Sequence, residues 1–432
     1  MDILNIGIVG FGTVGAGVVE AIQKNSDLIS KRVGFIPVVK RIADLDIVTD
    51  RGVEVPDGVL TTDAYDVIRD PEIQVVVELI GGTTFAKKLI LDALRAGKPV
   101  VTANKALLAT FGDELFQVAS ENNVNIWFEA SVGGGIPCLK ALREGLAANQ
   151  IREILGILNG TCNYILTKME REKADFDDVL AAAQAAGYAE ANPALDVDGF
   201  DTAHKTAILA SLAYGTWFNA EQVETWGIRN VTQSDIQYAA ELGYRIKLLA
   251  IIKQVNGHIQ LGVHPALVPA SSLLGNVNDV FNAVWVRGDI VGDTMYYGRG
   301  AGRSATASAV IADIVDCGLN LSFGCLRRLP AFTKYEGYGK VMDSSEVITR
   351  YYVRLQINDK PGVLAKVSGI LAKYNISIAS VTQKENSPRT SVPMVILTHK
   401  AQDSAMRSAL REIGELDDTC EKPVVFTIED LA

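Results

Sequence analysis

Cysteine and histidine are scarce, and the few present lie far apart. The five cysteines, Cys138, Cys162, Cys317, Cys325 and Cys420, are odd in number and form no Cys-x-x-Cys pair. A disulfide framework or a zinc ribbon needs closer, patterned spacing. The four histidines, His204, His258, His264 and His399, make no metal-ligand motif, so metal-hydrolase chemistry has almost nothing to stand on. Long apolar runs are missing too, since nothing approaches the roughly 18–20 residues needed to cross a bilayer. The first residues, Met1 to Asn5, lack the basic region and small-residue cleavage site of an export signal. Basic charge is in deficit: 41 Lys and Arg stand against 51 Asp and Glu, a net charge of −10 that argues against non-specific nucleic-acid binding. The expectation is a reduced, cytoplasmic protein with neither membrane nor nucleic acid as a partner.

What is present is core material. With 48% hydrophobic and 21% charged residues in a chain of 432, folding can offset chain entropy. At roughly 150 residues per domain the length points to about three domains. Residues 1–130 alternate short apolar runs (Ile3–Val9, Phe35–Ile42, Val75–Ile80, Pro99–Ala103, Asn125–Ala130) with helical periodicity, as in Val14, Val18, Ile22 and Ile29. Strand, helix, strand in repetition predicts an α/β domain with a parallel sheet, whose ligands bind at the carboxyl ends of the strands. Residues 131–325 mix helices (Pro137–Ala148, Thr202–Tyr214) with strands (Ile151–Asn159, Ile259–Pro265) and read as an α+β domain. A linker is expected over 326–350, around Gly337 and Gly339. Residues 351–432 follow the order β-α-β-β-α-β of the ferredoxin-like fold, with an apolar stripe of Val363, Leu364, Val367, Ile370, Leu371 and Tyr374 on the first helix.

The segment Gly10-Phe11-Gly12-Thr13-Val14-Gly15 follows a predicted strand and opens a predicted helix. In such a loop the first glycine permits the tight turn, the second admits pyrophosphate, and the third packs helix on strand. The anion then rests on the helix N-terminus. A glycine-rich turn without a cofactor is the plain alternative. The second strand ends in Lys40, Arg41 and Asp44 rather than in a lone acid. Lys40 and Arg41 stand where a 2′-phosphate would lie and favour NADP over NAD, unless Asp44 takes the ribose. Gly81, Gly82 and Thr83, at the end of another strand, would let backbone lie close to the ribose or nicotinamide, or simply turn the chain.

Lys105 follows a buried strand at its carboxyl end, where it could hold a substrate carboxylate, polarise a carbonyl, or be an ordinary surface lysine. Between Gly187 and Lys205 the carboxylates Glu190, Asp196, Asp198 and Asp201 crowd among glycine and proline ahead of an apolar helix. Asp201 and Lys205 are four residues apart with the acid first. That is either a plain helix ion pair worth about 0.3–0.5 kcal/mol or a proton donor tuned by its neighbours.

Together Gly10–Gly15, Ala103 to Lys105, Glu129 to Pro137, Leu158 to Thr161 and Gly187 to Lys205 resemble the homoserine dehydrogenase family over about residues 1–320. Residues Tyr351–Ala432 resemble an ACT domain, the regulatory tail of many bacterial members. The resemblance implies NAD(P)H-dependent reduction of L-aspartate 4-semialdehyde to L-homoserine, within threonine and methionine biosynthesis. Lys205 would be the proton donor, Lys105 would bind or orient the substrate and also reach the cofactor, and Glu190 would hold the substrate ammonium. Asp196 and Asp201 would order the lysine and the substrate, with Gly160 and Thr161 lining the substrate site. Backbone carbonyls of Glu129, Val132, Gly134 and Ile136 would hold Na⁺ or K⁺. A helix over about 301–318 would return to the cofactor, with Gly302 near the phosphates, although Arg303, Ser304 and Ala305 depart from the family's Pro-Thr-Ala-Ser pattern. The tail implies a homo-oligomer, dimer or tetramer, and threonine as an effector. The competing readings are a non-catalytic dinucleotide-linked amino-acid sensor and a reductase of another semialdehyde. Cys138 and Cys162 have no identifiable base partner, which disfavours a phosphorylating dehydrogenase.

Overall fold

A computed structural model describes residues 2–325, 329–335, 340–384 and 391–431. The expected linker at 326–350 falls partly outside them, Gly337 and Gly339 included. The chain packs as two compact units: Met1–Gly160 with His204–Val223 and Phe281–Tyr338, and Thr161–Ala203 with Glu224–Val280 and Gly339–Ala432. Residues 131–325 therefore contribute to both.

In the first unit six strands, β1 (Asp2–Val9), β2 (Phe35–Ala43), β3 (Leu60–Thr61), β4 (Val75–Glu78), β5 (Val100–Thr102) and β6 (Ile126–Trp127), form one sheet in the order β3-β2-β1-β4-β5-β6. Every pairing is parallel. The order reverses beside β1, which places a ligand crevice at the carboxyl ends of β1 and β4. The strands are apolar because both faces are covered, and Ile6, Ile8, Val75, Val77 and Val101 are fully buried. The helices Thr13–Val33 and Arg303–Ser322 pack together at Gly17, where a Cβ would lie 2.8 Å from Cγ of Arg303. Strands Ile151–Ile157, Phe281–Gly288 and Gly292–Arg299 make an antiparallel set. The helix expected over Pro137–Ala148 is α-helical only at Cys138–Lys140, and a wider π turn follows at Ala141–Gly145.

In the second unit a twelve-pair hairpin joins Tyr244–Val255 to His258–Pro269. The C-terminal module has the expected β-α-β-β-α-β order, with Ile348–Asn358 between Ser391–Thr398 and Val424–Ile428. Its last strand also pairs in parallel with the hairpin, Ala266 opposite Thr427 and Leu267 opposite Ile428, so module and hairpin share a sheet. Val367 and Leu371 of the helix Val363–Lys373 pack on Val353, Leu355, Ile396 and Ile413. The apolar stripe is narrower than expected, because Leu364 is exposed. No described helix is long and apolar enough to cross a membrane.

Candidate active site

The glycine loop caps β1 at the crevice. Gly10 has φ 106°, and a Cβ there would lie 2.6 Å from the Leu79 carbonyl carbon. At Gly15 a Cβ would come within 2.0 Å of the Gly10 carbonyl oxygen, whereas at Gly12 it would meet nothing within 4 Å. Gly12 precedes the helix Thr13–Val33 and offers no side chain to cap it, so the amides of its first turn, from Thr13 and Val14 onward, are left for an anion. Gly302, at φ 118°, stands in the same relation to Arg303–Ser322. The helix still begins right after Gly302, despite the departure at Arg303 to Ala305. The Nε atoms of Arg41, Arg51 and Arg303 are buried with no partner among the described residues. Arg51 pairs with Asp46 and Arg303 with Glu20, and it is the open helix start after Gly12 that fits the pyrophosphate of a dinucleotide.

The strand-end expectation needs a correction at Lys40. Opposite β1 the register steps from Val39 to Arg41, which makes Lys40 the extra residue of a bulge. Its ammonium pairs with Asp70 and Glu72, ahead of the amino end of β4 and away from the glycine loop. Arg41 donates from Nη1 to the Gly58 carbonyl at 2.8 Å. Asp44 lies at the loop itself and accepts from the Phe11 amide at 2.5 Å.

Across the crevice, Glu78 closes β4 fully buried, and burial raises its carboxyl above the usual carboxylate range. It accepts from the Ile80 and Gly81 amides at 3.0 and 3.2 Å and from the Thr102 hydroxyl at 2.6 Å. Thr102 Oγ1 in turn accepts from the Asn104 amide, and Asn104 donates from Nδ2 to the Gly82 carbonyl at 2.7 Å. Asn104 also caps the helix Lys105–Glu121 by accepting from the Leu107 amide, so Lys105 opens that helix from a braced corner. Gly81 and Gly82, both at φ 71°, make the turn that ends at Thr83. Glu78 lies outside the motifs named from the sequence, although a lone carboxylate in an apolar strand marks it as a candidate.

The expected cation loop curls at Gly133 (φ 72°) and Gly134 (φ 55°). The carbonyls of Glu129, Val132 and Ile136 accept only the Val132 amide at 3.4 Å, the Cys138 thiol at 3.6 Å and the Cys138 amide at 2.7 Å among the bonds seen. The Glu129 carboxyl accepts from the Leu139 and Lys140 amides, and burial pushes it up to about 7. Burial also raises the Cys138 thiol, which keeps it out of nucleophilic chemistry.

The helix Phe200–Tyr214 carries Asp201 and Lys205 one turn apart, both buried. Nζ of Lys205 donates to the Leu158 carbonyl at 2.7 Å, just before Gly160. In the second unit, Thr161 donates to the Tyr188 carbonyl at 2.9 Å, and the exposed Glu190 has its carbonyl held by Gln184. Asp196 lies in the short helix Ala194–Val197, where its carbonyl accepts from the Cys162 thiol at 3.2 Å.

Three family models match the chain: "Homoserine dehydrogenase, NAD binding domain" over residues 10–129, "Homoserine dehydrogenase" over 137–315 and "ACT domain" over 351–415. A homoserine dehydrogenase of Neisseria gonorrhoeae is 44% identical over 99% of this chain and 98% of its own. The crystal structure of a homoserine dehydrogenase from Thiobacillus denitrificans, 43% identical, superposes with a TM-score of 0.95 over 100% of this chain and 99% of its own. A hyperthermophilic archaeal homoserine dehydrogenase in complex with NADPH, 30% identical, gives a TM-score of 0.63 over 75% of this chain and 100% of its own.

Proposed function

We infer the residue roles from one premise: the chain belongs to the homoserine dehydrogenase family. It is an NAD(P)-dependent oxidoreductase acting on a CH–OH group. The observation that carries the site is Lys205, a buried lysine on a carbonyl of the Leu158–Thr161 turn, one helical turn after Asp201. A bound reduced nicotinamide supplies the hydride to the aldehyde carbon of aspartate 4-semialdehyde. Lys205 gives its proton to the carbonyl oxygen as the alkoxide forms, and its charge supports that oxygen during the step. Lys105, braced by Asn104, orients the substrate. Glu190 takes the ammonium, Asp196 and Asp201 order substrate and lysine, and Gly160 and Thr161 line the site. The carbonyls of Glu129, Val132, Gly134 and Ile136 hold Na⁺ or K⁺, for which each keeps a lone pair.

With Lys40 engaged elsewhere, Arg41 is the strand-end cation left for a 2′-phosphate, and NADPH is the cofactor we assign. The product feeds threonine and methionine biosynthesis, the chain works as a homo-oligomer in the cytoplasm, and threonine acts through the ACT domain. Oxidation of NADPH and NADH with aspartate 4-semialdehyde, followed by absorbance, tests this. Lys205→Ala should lose turnover at least about a hundredfold with an unchanged melting temperature. Arg41→Ala should lower the NADPH-to-NADH preference about tenfold. Full activity in Lys205→Ala would remove it as proton donor, and an unaltered ratio would remove Arg41. Saturating threonine that changes neither activity nor melting temperature would remove the effector.

A further inference from the structure

Between the C-terminal module and the carboxylate turn Asp198–Gly199, which joins the helices of Asp196 and Asp201, runs one short segment, Glu224–Arg229. It starts as a strand parallel to the hairpin, with Glu224 opposite Gly262 and Thr225 opposite Val263, and the Trp226 amide continues the pairing to the Val263 carbonyl at 2.7 Å. It then leaves the sheet and lies on the carboxylate turn. The Ile228 amide donates to the Val197 carbonyl at 2.8 Å. Gly227 lies so close that a Cβ would be 2.1 Å from the Val197 carbonyl oxygen and 2.5 Å from Cα of Asp198. The Arg229 guanidinium meets the Asp198 carboxylate with two N–H groups, Nε to Oδ1 and Nη2 to Oδ2. Gly199, at φ 89°, fits under Thr225 and Trp226: a Cβ there would lie 3.0 Å from Cγ2 of Thr225.

The other end of the segment is held from the C-terminal module. Arg407, on the helix Asp403–Gly414, donates from Nη2 to the Glu224 carboxylate and from Nε to Asp403. Its guanidinium also lies 5.5 Å from the centre of the Trp226 ring. The side chains of Arg407 and Glu224 are 46% and 29% exposed, so the pair counts less as a source of stability than as a geometric link.

We propose that Glu224–Arg229 is a positioning strap, which sets the backbone that aims Asp196 and Asp201 and is itself held in place by Arg407 of the C-terminal module. The module thereby acts on the affinity for the amino-acid end of the substrate and, through Asp201, on the setting of Lys205, and leaves the cofactor cradle alone. The proposal rests on the assignment of Asp196 and Asp201 to the substrate. Gly227 and Arg407 are positioning residues, since neither needs to touch the substrate.

The test uses the full chain with Arg407→Gln, Glu224→Gln and the double variant, read by hydrogen exchange and steady-state kinetics. Residues 194–203 should exchange about fivefold faster in each single variant, while the glycine loop stays unchanged. The double variant should be no worse than the worse single, because both changes cut the same link. The KM for aspartate 4-semialdehyde should rise about fivefold, with the KM for the nicotinamide within about twofold of wild type. Gly227→Ala, with its melting curve recorded, should give the same split more strongly by pushing on Val197. Unaltered exchange at 194–203 overturns the strap whatever the activity, and effects that add in the double variant overturn the link through Arg407. Faster exchange with an unaltered KM overturns the positioning role. A wild-type chain with no turnover would count against the reaction assigned above, since the exchange measurement judges the strap by itself.

Discussion

Gly12 and Gly15 sit three residues apart in one loop, yet a methyl group has different consequences at each. At Gly12 it would meet no atom within 4 Å and project into the room left for pyrophosphate, while at Gly15 it would strike the Gly10 carbonyl oxygen at 2.0 Å. Gly12→Ala should therefore keep the wild-type melting temperature and raise the KM for the nicotinamide cofactor at least about tenfold. Gly15→Ala should lose about 1–3 kcal/mol of stability as well, because backbone has to move. Thermal unfolding beside cofactor kinetics separates the two, and equal melting temperatures would refute the contrast. At this scale the glycine roles follow from spacing, since each depends on the absence of a side chain. Lys40 shows where spacing stops, because a bulge decides which way a strand-end side chain leaves the sheet.

At the scale of elements, the hairpin strand His258–Pro269 meets the C-terminal strand Val424–Ile428 around a buried imidazole. His264 lies 3.1 Å from Oγ1 of Thr427, and burial lowers it from 6.5 to about 4, with the Lys253 charge adding to the effect. The folded state thus keeps His264 neutral while the unfolded chain takes up a proton, so its contribution to stability is intact above 6.5 and fades as pH falls toward 4. His264→Asn should flatten the decline of melting temperature over that window. A decline as steep as wild type would show that other groups set the acid limb. The strands themselves are legible from apolar runs, as Ile3–Val9 and Phe35–Ile42 are within the observed strands Asp2–Val9 and Phe35–Ala43. That one strand would serve both the module and the hairpin was not legible, because pairing partners far apart in sequence leave no periodic trace.

For the whole molecule, that shared strand means the C-terminal module is part of the second unit's architecture. Removing it would strip one of the two neighbouring strands from Ala266 and Leu267 and leave His264 without Thr427. A chain ending at residue 346 should therefore melt lower than the full chain or aggregate. Melting curves and size-exclusion chromatography of the truncated chain decide this. A soluble product with an unchanged melting temperature would mean that the module is a detachable appendage.

By itself the sequence determined what depends on neighbours along the chain: the glycine loop at the first strand, the helix that sets Asp201 one turn before Lys205, and the α/β order followed by a ferredoxin-like tail. These are encoded by glycine spacing, helical period and strand length, all local quantities. Only the tertiary structure decided that Lys40 turns to Asp70 and Glu72, and that Glu78 braces the corner of Lys105 through Thr102 and Asn104. It alone brought Glu224–Arg229 between the tail and the carboxylate turn. Such contacts join residues tens to hundreds of positions apart, and folding selects them by packing and by the need to satisfy buried polar groups, which one strand or helix cannot reveal in advance.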